Sequence, residues 1–332
     1  MLYCSITNKD RHMTRTQVFV DGQHGTTGLQ IHERLQSRRD IDLLSIPDDQ
    51  RKNPEARKDY LNKADIVFLC LPDDAARESV SLITNPAVCV IDGSTAHRVT
   101  PGWTYGLPEL RPEQRTLIKA SKRIAVPGCH ATGFVSMLYP LVAGGIVGPD
   151  YPVTCHTTAG YSGGGKSMIA DYENPDSPAY IKTPRPYSLA LNHKHIPEMT
   201  KVVGLDQPPI FAPTVVDVYR GEILSVPLVA SYLAKKMSAS DIRGFLAEYY
   251  AGEQFIKVMP YPADDHLKNG FMTFTDCNGT NNLDIFVFGN EDRILLSARF
   301  DNLGKGASGA ATCGVTPSHC ALVRSRCGSC SG

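Results

Sequence analysis

The chain has 332 residues, and its 34 basic side chains balance its 34 acidic ones. This length suggests two domains or one large α/β unit, and the content of 42% hydrophobic and 20% charged residues excludes a disordered or fibrous chain. The neutral total argues against a large nucleic-acid interface. Because no apolar run approaches the ~18 residues of a membrane span and the polar start lacks a secretory signal, we expect a cytoplasmic protein that contacts neither nucleic acid nor membrane.

The first part of the chain alternates short apolar runs with segments that are compatible with helices. The runs are QVFVD at 17–21, IDLLSI at 41–46, DIVFLCL at 65–71 and AVCVID at 87–92. Continuous apolar strands separated by helices are typical of a parallel, doubly wound sheet. We therefore predict an α/β domain over residues 17–128, preceded by a frayed leader.

A loop with three spaced glycines follows the first of these strands and opens an amphipathic segment. Such a loop allows a tight turn and a close approach of the backbone to a pyrophosphate, which the amides of a helix N-terminus can bind. The spacing is GxxGxxG rather than GxGxxG, so a plain βα turn without a ligand is the alternative. The predicted dinucleotide contacts are Gly22, Gly25, Thr26, Thr27 and Gly28.

The end of the second strand indicates which dinucleotide binds. A NAD site usually places an acidic residue there, whereas this chain has Ser45, followed by Arg51 and Lys52. A hydroxyl and nearby cations suit a ribose 2′-phosphate, so the sequence favours NADP over NAD, with Ser45 and Arg51 as contacts. A solvated charged loop is the alternative for Arg51 and Lys52.

After about residue 128 the chain changes character. Loops rich in Gly, Pro and Tyr, at 160–166 and 174–187, lie among strand-like runs such as 222–233 and 282–289. This pattern predicts a second, α+β domain over residues 129–300. The glycine-rich GYSGGGK lacks a Walker pattern, so the sequence gives no support for ATP binding.

The segment VPGCHATG, at 126–133, is the sharpest chemical feature. Pro and Gly set a turn before an apolar helical stretch, which places Cys129 at a helix N-terminus. The partial positive charge there favours a thiolate, an activated nucleophile, and adjacent amides can stabilise an oxyanion. The alternative, a buried structural cysteine, is disfavoured because the residue lies in a turn rather than in an apolar strand.

A nucleophilic cysteine needs a base, and NHKHIPE, at 192–198, offers His193 and His195 just before a helix start. Spacing alone does not choose between them. They could also bind a metal, but no third ligand is suggested nearby, and we expect no metal. Four other histidines are candidates by residue type only: His24, His97, His130 and His156.

Two further loops carry candidate ligand contacts. DGSTAHR, at 92–98, ends a strand at the edge where α/β sheets bind ligands, so Ser94 is a candidate cofactor contact and Arg98 a candidate anion anchor. DNLGKG, at 301–306, precedes a stretch of small residues suited to close packing against a ligand or another backbone.

Together these motifs resemble the shorter form of N-acetyl-γ-glutamyl-phosphate reductase of arginine biosynthesis. The resemblance implies a Rossmann-type NADP-binding domain and an α+β catalytic domain, as in aspartate-semialdehyde and glyceraldehyde-3-phosphate dehydrogenases, with the segment 301–312 packing back on the first domain. The matching stretches run in order from about residue 17 to 312: VFVDGQHGTTGLQI, DIVFLCLPDDAA, IDGSTAHR, YGLPEL, VPGCHATG, AGYSGGGK, NHKHIPEM and FDNLGKGASGAA.

The resemblance also implies a mechanism for an NADP-dependent phosphorylating semialdehyde dehydrogenase. Cys129 attacks the acyl phosphate, phosphate departs and leaves a thioester, and NADPH reduces it to N-acetylglutamate 5-semialdehyde. His195 corresponds best to the acid/base, with His193 as a supporting residue or rival, and Arg98 suits the phosphoryl group. Ser162, Gly163 and Asn302 are implied near the nicotinamide. Relatives of this architecture are commonly dimers or tetramers, so we expect a homo-oligomer.

Residues 313–332 depart from the family pattern, because Gly314 and Pro317 oppose the long helix expected there. Four cysteines crowd this tail, and with His319 they could form a zinc cluster, although the spacing fits no standard pattern. Three rival functions remain open: the same chemistry on aspartyl phosphate, a non-catalytic NADP-binding sensor, and a thiol hydrolase. The hydrolase would leave the glycine loop without a role.

Overall fold

The computed structural model describes residues 15–23, 25–309 and 311, and of Thr26 and Thr27 it describes the backbone alone. The tail 313–332 with its possible zinc cluster, most of the leader, and His24 lie outside these residues. Six strands form the first sheet: β1 (Thr16–Asp21), β2 (Ile41–Leu44), β3 (Ile66–Leu69), β4 (Cys89–Asp92), β5 (Thr104–Tyr105) and β6 (Arg123–Ala125). All neighbours pair in parallel, in the order β2-β1-β3-β4-β6-β5.

Helices cover both faces of this sheet. They are α1 (Thr26–Gln36), α2 (Pro54–Lys63), α3 (Asp73–Leu82) and α4 (Gln114–Ala120). Ile31 of α1 and Ile118 of α4 pack on one face, whereas Leu61 of α2 and Ala76 of α3 pack on the other. Apolar side chains that alternate along β1 and β3 supply both cores, which is why these strands are continuous apolar runs. The predicted doubly wound parallel sheet is confirmed.

The second sheet has seven strands and mixed directions. Its strands are β7 (Thr154–Gly160), β8 (Arg185–Pro186), β9 (Ile210–Val216), β10 (Glu222–Val229), β11 (Ile256–Val258), β12 (Leu283–Gly289) and β13 (Arg293–Phe300). They lie in the order β11-β12-β13-β10-β7-β9-β8. The pairs β7–β9 and β11–β12 are parallel, and the other pairs are antiparallel.

One face of the second sheet carries the largest core of the protein. The helices of this part are α5 (Cys129–Ala143), α6 (Gly165–Glu173), α7 (Ile196–Val203) and α8 (Ala239–Tyr249). Phe134, Met137 and Leu141 of α5 are fully buried in one cluster with Leu224 and Val226 of β10. The packing of α5 against the second sheet therefore fixes the position of its first residue, Cys129.

After β13 the chain returns to the first sheet. Residues 304–308 form a short π-helix, a rare element that is frequent at functional sites. The buried Lys305 donates from Nζ to Oε1 of Glu109 at 2.7 Å, and Ser308 donates to Gln30 of α1 at 2.8 Å. Ala311 packs in the same core as α1. Within the described part of the chain, no helix has both the length and the apolar character to cross a membrane.

Candidate active site

Cys129 is the first residue of α5, and no side chain caps this helix. The cap position is Gly128, in extended conformation, so the sequence prediction of a helix N-terminus at Cys129 matches the structure. The backbone passes close on the other side as well, since a Cβ on Gly306 would lie 2.8 Å from Cβ of Cys129. Glycine at both positions leaves the half-buried thiol facing a cavity between the two sheets.

The cavity has a volume of about 370 Å³ and lies where the ends of β3 and β4 meet α5, α7 and the π-helix. Seven of the site residues predicted from the sequence line it: Arg98, Cys129, Ser162, Gly163, His193, His195 and Asn302. These residues come from five separate segments, so only the fold brings them together.

Arg98 is buried and tied to the loop of the nucleophile. Its Nη1 donates to Glu198 Oε2 at 2.9 Å, its Nε to the carbonyl of Val126 at 2.9 Å and its Nη2 to the carbonyl of Gly93 at 3.1 Å. These contacts use three of the five guanidinium N–H donors. The remaining donors are available for an anion in the cavity.

Glu198 joins three parts of the site through one carboxylate. Besides Arg98, it accepts from the hydroxyl of Tyr105 at 2.7 Å and from the backbone amide of Gly128 at 3.0 Å. The carboxylate is 2% exposed, and the pairing with Arg98 compensates its burial. The sequence analysis did not single out Glu198, although it lies in NHKHIPE at the start of α7.

His195 caps α7 and points at the loop of the nucleophile. A Cβ on Gly128 would lie 2.5 Å from its Nε2 and 2.4 Å from Nη1 of Arg98, so both groups use the space that glycine leaves. Its Nδ1 is buried and has no hydrogen-bond partner. Burial lowers the pKa of His195 well below its usual value, and the positive charge of Arg98 adds to this effect, so the ring is neutral near pH 7.

His193 is placed behind His195 rather than beside the sulfur. Its Nδ1 accepts from the backbone amide of His195 at 3.2 Å, and the two rings meet edge to face at 4.8 Å. Burial lowers the pKa of His193 to about 4. The sulfur of Cys129, one ring nitrogen of His195 and one of His130 lie within 4.8 Å of one another. Of the two predicted histidines, His195 is therefore the one whose ring lies beside the sulfur.

His130 and Glu222 form a buried pair at the same sulfur. Nδ1 of His130 lies 2.6 Å from Oε1 of Glu222, the first residue of β10. The sequence analysis named His130 by residue type only and missed Glu222. The signal was present, because Glu222 shares the period-two face of Leu224, Val226 and Leu228 and so carries a charge into a core position.

The ionisation of Cys129 corrects the sequence prediction. The helix N-terminus was expected to favour a thiolate, but burial raises the pKa of the Cys129 thiol well above its usual value, and the Glu222 carboxylate raises it further. The amide of His130 and the charge of Arg98 lower the pKa, but less. In the free protein the thiol is therefore neutral near pH 7, and its proton must be removed before it can act as a nucleophile.

The glycine loop lies at the carboxyl end of β1, where the strand order switches from β2 to β3 and doubly wound sheets bind ligands. Gly22 has φ +88°, and a Cβ there would lie 2.4 Å from the carbonyl oxygen of Cys70. A Cβ on Gly28 would lie 2.3 Å from the carbonyl oxygen of Gly22. Gly25 is the N-cap of α1 and has no side chain, so it offers no capping group to the first amides of α1.

Gly22, Gly25 and Gly28 do not line the cavity, and neither do three predicted cofactor contacts outside the glycine loop. Ser45 and Arg51 are exposed, at the end of β2 and in the turn before α2. Ser94 is buried, and its hydroxyl donates to Asp92 at 2.7 Å and accepts from the amide of Ala96 at 3.1 Å. These bonds hold the hydroxyl against its own loop. Gly93, rather than Ser94, lines the cavity.

The residues predicted near the nicotinamide form one connected group. Nδ2 of Asn302 donates to the hydroxyl of Ser162 at 3.2 Å, and its Oδ1 accepts from the amide of Gly221 at 2.9 Å. A Cβ on Gly163 would lie 3.2 Å from Nδ2 of Asn302. This group and the sulfur of Cys129 line the same cavity.

Two family models cover most of the chain. Residues 5–118 match the NAD binding domain of semialdehyde dehydrogenase, and residues 129–302 match its dimerisation domain. Among solved structures, aspartate semialdehyde dehydrogenase II from Vibrio cholerae has a TM-score of 0.67 at 17% identity, with 94% of this chain and 99% of that chain covered. At this identity the likeness shows the fold alone. Fold and site together define a semialdehyde dehydrogenase.

Curated relatives are far more similar in sequence. N-acetyl-gamma-glutamyl-phosphate reductase from Chelativorans sp. is 47% identical over 301 residues, with 89% of this chain and 95% of the relative covered. N-acetyl-gamma-glutamyl-phosphate reductase 2 from Nostoc sp. is 44% identical over 311 residues, with 90% and 95% covered. The chain belongs to the N-acetyl-gamma-glutamyl-phosphate reductase family of semialdehyde dehydrogenases, as its motifs predicted.

Proposed function

We propose that the protein reduces N-acetyl-γ-glutamyl phosphate to N-acetylglutamate 5-semialdehyde and phosphate, with NADPH as reductant and a thioester on Cys129 as intermediate. The observation that carries this proposal is the position of the sulfur. It lies at the start of α5, within 4.8 Å of a ring nitrogen of His195, in a cavity between a nucleotide-binding sheet and the second sheet. The names of the curated relatives supply the substrate.

Cys129 acts first. As a thiolate it attacks the acyl carbon, the bond from this carbon to the phosphate oxygen breaks, and phosphate leaves with the electron pair. The uncapped amides at the start of α5 are suited to hold the oxyanion that forms on the carbonyl oxygen. Arg98, with donors left over on its guanidinium, is suited to bind the phosphoryl group.

His195 acts at the substrate oxygens. A neutral imidazole donates a hydrogen bond to an oxyanion and to the departing phosphate, which takes its proton from solvent. After reduction, the thiohemiacetal collapses, the carbon–sulfur bond breaks and the aldehyde leaves. His193, whose Nδ1 accepts from the amide of His195, supports the loop that holds the catalytic ring.

The residues around the glycine loop fit a dinucleotide, because a Cβ at Gly22 or Gly28 would fill the cradle with strained contacts. Gly22, Gly25 and Gly28, with the amides of Thr26 and Thr27, would hold the pyrophosphate. Ser45 and Arg51 would reach the 2′-phosphate, which favours NADP, and Ser162, Gly163 and Asn302 would border the nicotinamide. When bound, NADPH supplies the hydride that reduces the thioester.

The assay runs most conveniently in reverse, with NADP, phosphate and an aldehyde, and follows absorbance at 340 nm. We expect turnover with N-acetylglutamate 5-semialdehyde and much less with aspartate semialdehyde. Replacing Cys129→Ser should lower turnover by roughly 10⁴-fold or more and leave NADP binding unchanged. Near-normal turnover of that variant would exclude the thioester, and absence of any reduction would favour a sensor or a hydrolase.

The open face of the second sheet supports a homo-oligomer. Ile210, Val229 and Leu295 lie on the face opposite α5 and are 55%, 41% and 37% exposed. The segment that carries this sheet matches a dimerisation domain, so we assign the open face to a dimer, or to the dimers of a tetramer. Sedimentation of Val229→Asp, compared with the wild type, tests the interface.

We place the enzyme in the cytoplasm, where its reductant and acyl phosphate are available.

A further inference from the structure

His130 follows the nucleophile directly, and both of its ring nitrogens are engaged. Nδ1 lies 2.6 Å from Oε1 of Glu222, and Nε2 lies 2.9 Å from the hydroxyl of Tyr187. A ring nitrogen of His130 lies within 4.8 Å of the sulfur of Cys129. The nucleophile thus has a second imidazole beside it, and this one is oriented by a carboxylate.

Glu222 provides the counter-charge for a positive ring at His130. Glu222 is fully buried, and among the described residues its ion pair is with His130 rather than with a lysine or arginine. It also accepts from the hydroxyl of Thr157 at 3.2 Å, and its Oε2 has no hydrogen-bond partner. A buried carboxylate beside the ring can compensate the positive charge that the ring gains when it accepts a proton.

The surroundings of His195 have the opposite sign. The charged groups that act on its ring are Arg98 and Lys194, with His130 and His193 on the remaining sides, and all of them disfavour a positive ring. No carboxylate contacts its nitrogens among the described hydrogen bonds, and its Nδ1 has no partner. His195 is therefore a poor acceptor for a proton and a good neutral donor to an oxygen.

We propose that His130, oriented by Glu222, is the general base that removes the proton of Cys129, and that His195 acts only at the substrate oxygens. This assignment rests on the proposed function for its catalytic meaning, since it gives the two histidines different roles in that reaction: proton transfer to His130 and hydrogen bonding to His195. His130 is the catalytic residue in this pair, and Glu222 is a positioning residue.

The step balances within the site. The S–H bond breaks and an N–H bond forms on His130, whose positive charge is held by Glu222. The freed electron pair on sulfur forms the bond to the acyl carbon while phosphate departs. When the thiohemiacetal later expels the sulfur, the carbon–sulfur bond breaks, and the thiolate recovers its proton from His130. No net proton is consumed at this pair.

The neighbours of His130 limit what else could set its protonation. Five titratable groups face it, from four elements or loops: Cys129 of its own helix, Tyr187, both His193 and His195 of one loop, and Glu222 of β10. Of these, Glu222 is the one carboxylate.

Alkylation of Cys129 by iodoacetamide reports proton removal without any substrate. The rate at this residue is followed by mass spectrometry of its peptide, across pH, in the wild type, His130→Asn, His130→Gln and His195→Gln, with the exposed His266→Gln as matched control. Two variants of His130 are used because one of them can fail to fold. Asn can still donate to Glu222 but cannot accept a proton.

We expect both His130 variants to slow alkylation at pH 7 by roughly 10²-fold, the lower end of the range for a general base. Their rates should recover as pH rises, because the thiol then ionises unaided. His195→Gln and His266→Gln should leave alkylation little changed. A uniform loss at every pH would assign a structural role to His130. An unchanged rate in the His130 variants, or a loss confined to His195→Gln, would overturn the proposal.

The substitution Glu222→Gln tests whether Glu222 orients His130 or only fills space in the core. Without the carboxylate the pKa of the Cys129 thiol falls, which alone would speed alkylation at pH 7. If Glu222 positions His130, alkylation should instead slow, and an unchanged or faster rate contradicts the role of Glu222. In this variant first-turnover phosphate release should slow, whereas reduction of a preformed thioester should not. Because alkylation needs no acyl phosphate, a wild-type enzyme that is alkylated as expected but reduces nothing would contradict the proposed function alone.

Discussion

Two helix N-termini of this protein have nearly the same local geometry and different chemistry. Gly25 caps α1 at φ −73° and ψ 162°, and Gly128 caps α5 at φ −74° and ψ 155°, in both cases without a side-chain cap. At α1 the described atoms nearest to a Cβ on the cap glycine would be the carbonyl oxygens of Gly22 and Cys70. At α5 the neighbours of the cap glycine are Arg98, His195 and the buried carboxylate of Glu198. The cap provides free amides, and the packed neighbours decide whether an anion binds there or a nucleophile reacts.

The largest expected difference between the two helix starts comes from matched alanine substitutions at their cap glycines. A Cβ on Gly128 would meet Nη1 of Arg98 at 2.4 Å and Nε2 of His195 at 2.5 Å, whereas at Gly25 the nearest atoms lie at 3.4 and 3.6 Å. Since both backbones are extended, the conformational cost is the same. We expect Gly128→Ala to lower kcat about 10²-fold by displacing catalytic groups, and Gly25→Ala to change it little.

Steady-state kinetics and thermal melts of both variants check this difference. Equal losses of kcat would show that both caps act through the backbone alone, and would contradict a special role for the neighbours of Gly128.

A second substitution tests the glycine loop itself. A Cβ on Gly28 would lie 2.3 Å from the carbonyl oxygen of Gly22, a backbone atom that cannot rotate away. Gly28→Ala should therefore open the loop and raise KM for NADP about tenfold, the effect of losing about 1.4 kcal/mol of binding, with a smaller change in the alkylation rate of Cys129. Titration of NADP by fluorescence measures the binding. A variant with wild-type affinity would place the pyrophosphate elsewhere.

The fold could be predicted because the runs that became β1, β3 and β4 are apolar on both faces, and only a sheet covered by helices on both sides buries them. Cys129 and His195 were found through a turn and a helix start, which are local signals. Arg98 and Glu198 are 100 residues apart, and His130 and Glu222 are 92 apart. No local pattern joins such pairs, so the sign of the Cys129 pKa could not be predicted from the helix alone.

The hydroxyl of Ser94 illustrates a second limit. Its position at the end of β4 was predictable, but the direction of its side chain depends on Asp92, which binds both its hydroxyl and its amide. Residues at a ligand-binding edge are thus easier to predict than the contacts that each side chain makes.

A smaller effect is expected for a substitution that tests the preference for NADP over NAD. If Arg51 binds the 2′-phosphate, Arg51→Gln should weaken NADP binding about tenfold, the value of a hydrogen bond to a charged group, and leave NAD binding unchanged. Arg293→Gln, at an exposed position on the second sheet, is the control. Equal affinities of wild type and Arg51→Gln for NADP would show that Arg51 does not bind the 2′-phosphate and belongs to a solvated charged loop.

The smallest effect concerns stability. Burial lowers the pKa of His193 to about 4 from an ordinary value of 6.5, so between these values the unfolded chain binds more protons than the folded one. The free energy of unfolding should therefore rise with pH across this window and fall as pH drops from 6.5 towards 4. Urea melts at several pH values should show a shallower slope for His193→Gln. An identical slope would contradict the buried, neutral state of His193.

The most direct test of the central claim is to isolate the acyl-enzyme. Incubation with N-acetyl-γ-glutamyl phosphate in the absence of NADPH should release one phosphate per active chain and leave an N-acetylglutamyl thioester on Cys129. Mass spectrometry of the intact chain and its peptides would locate the group, and NADPH added afterwards should discharge it as the semialdehyde. Turnover without any acyl group on Cys129, or an acyl group on another residue, would contradict the account.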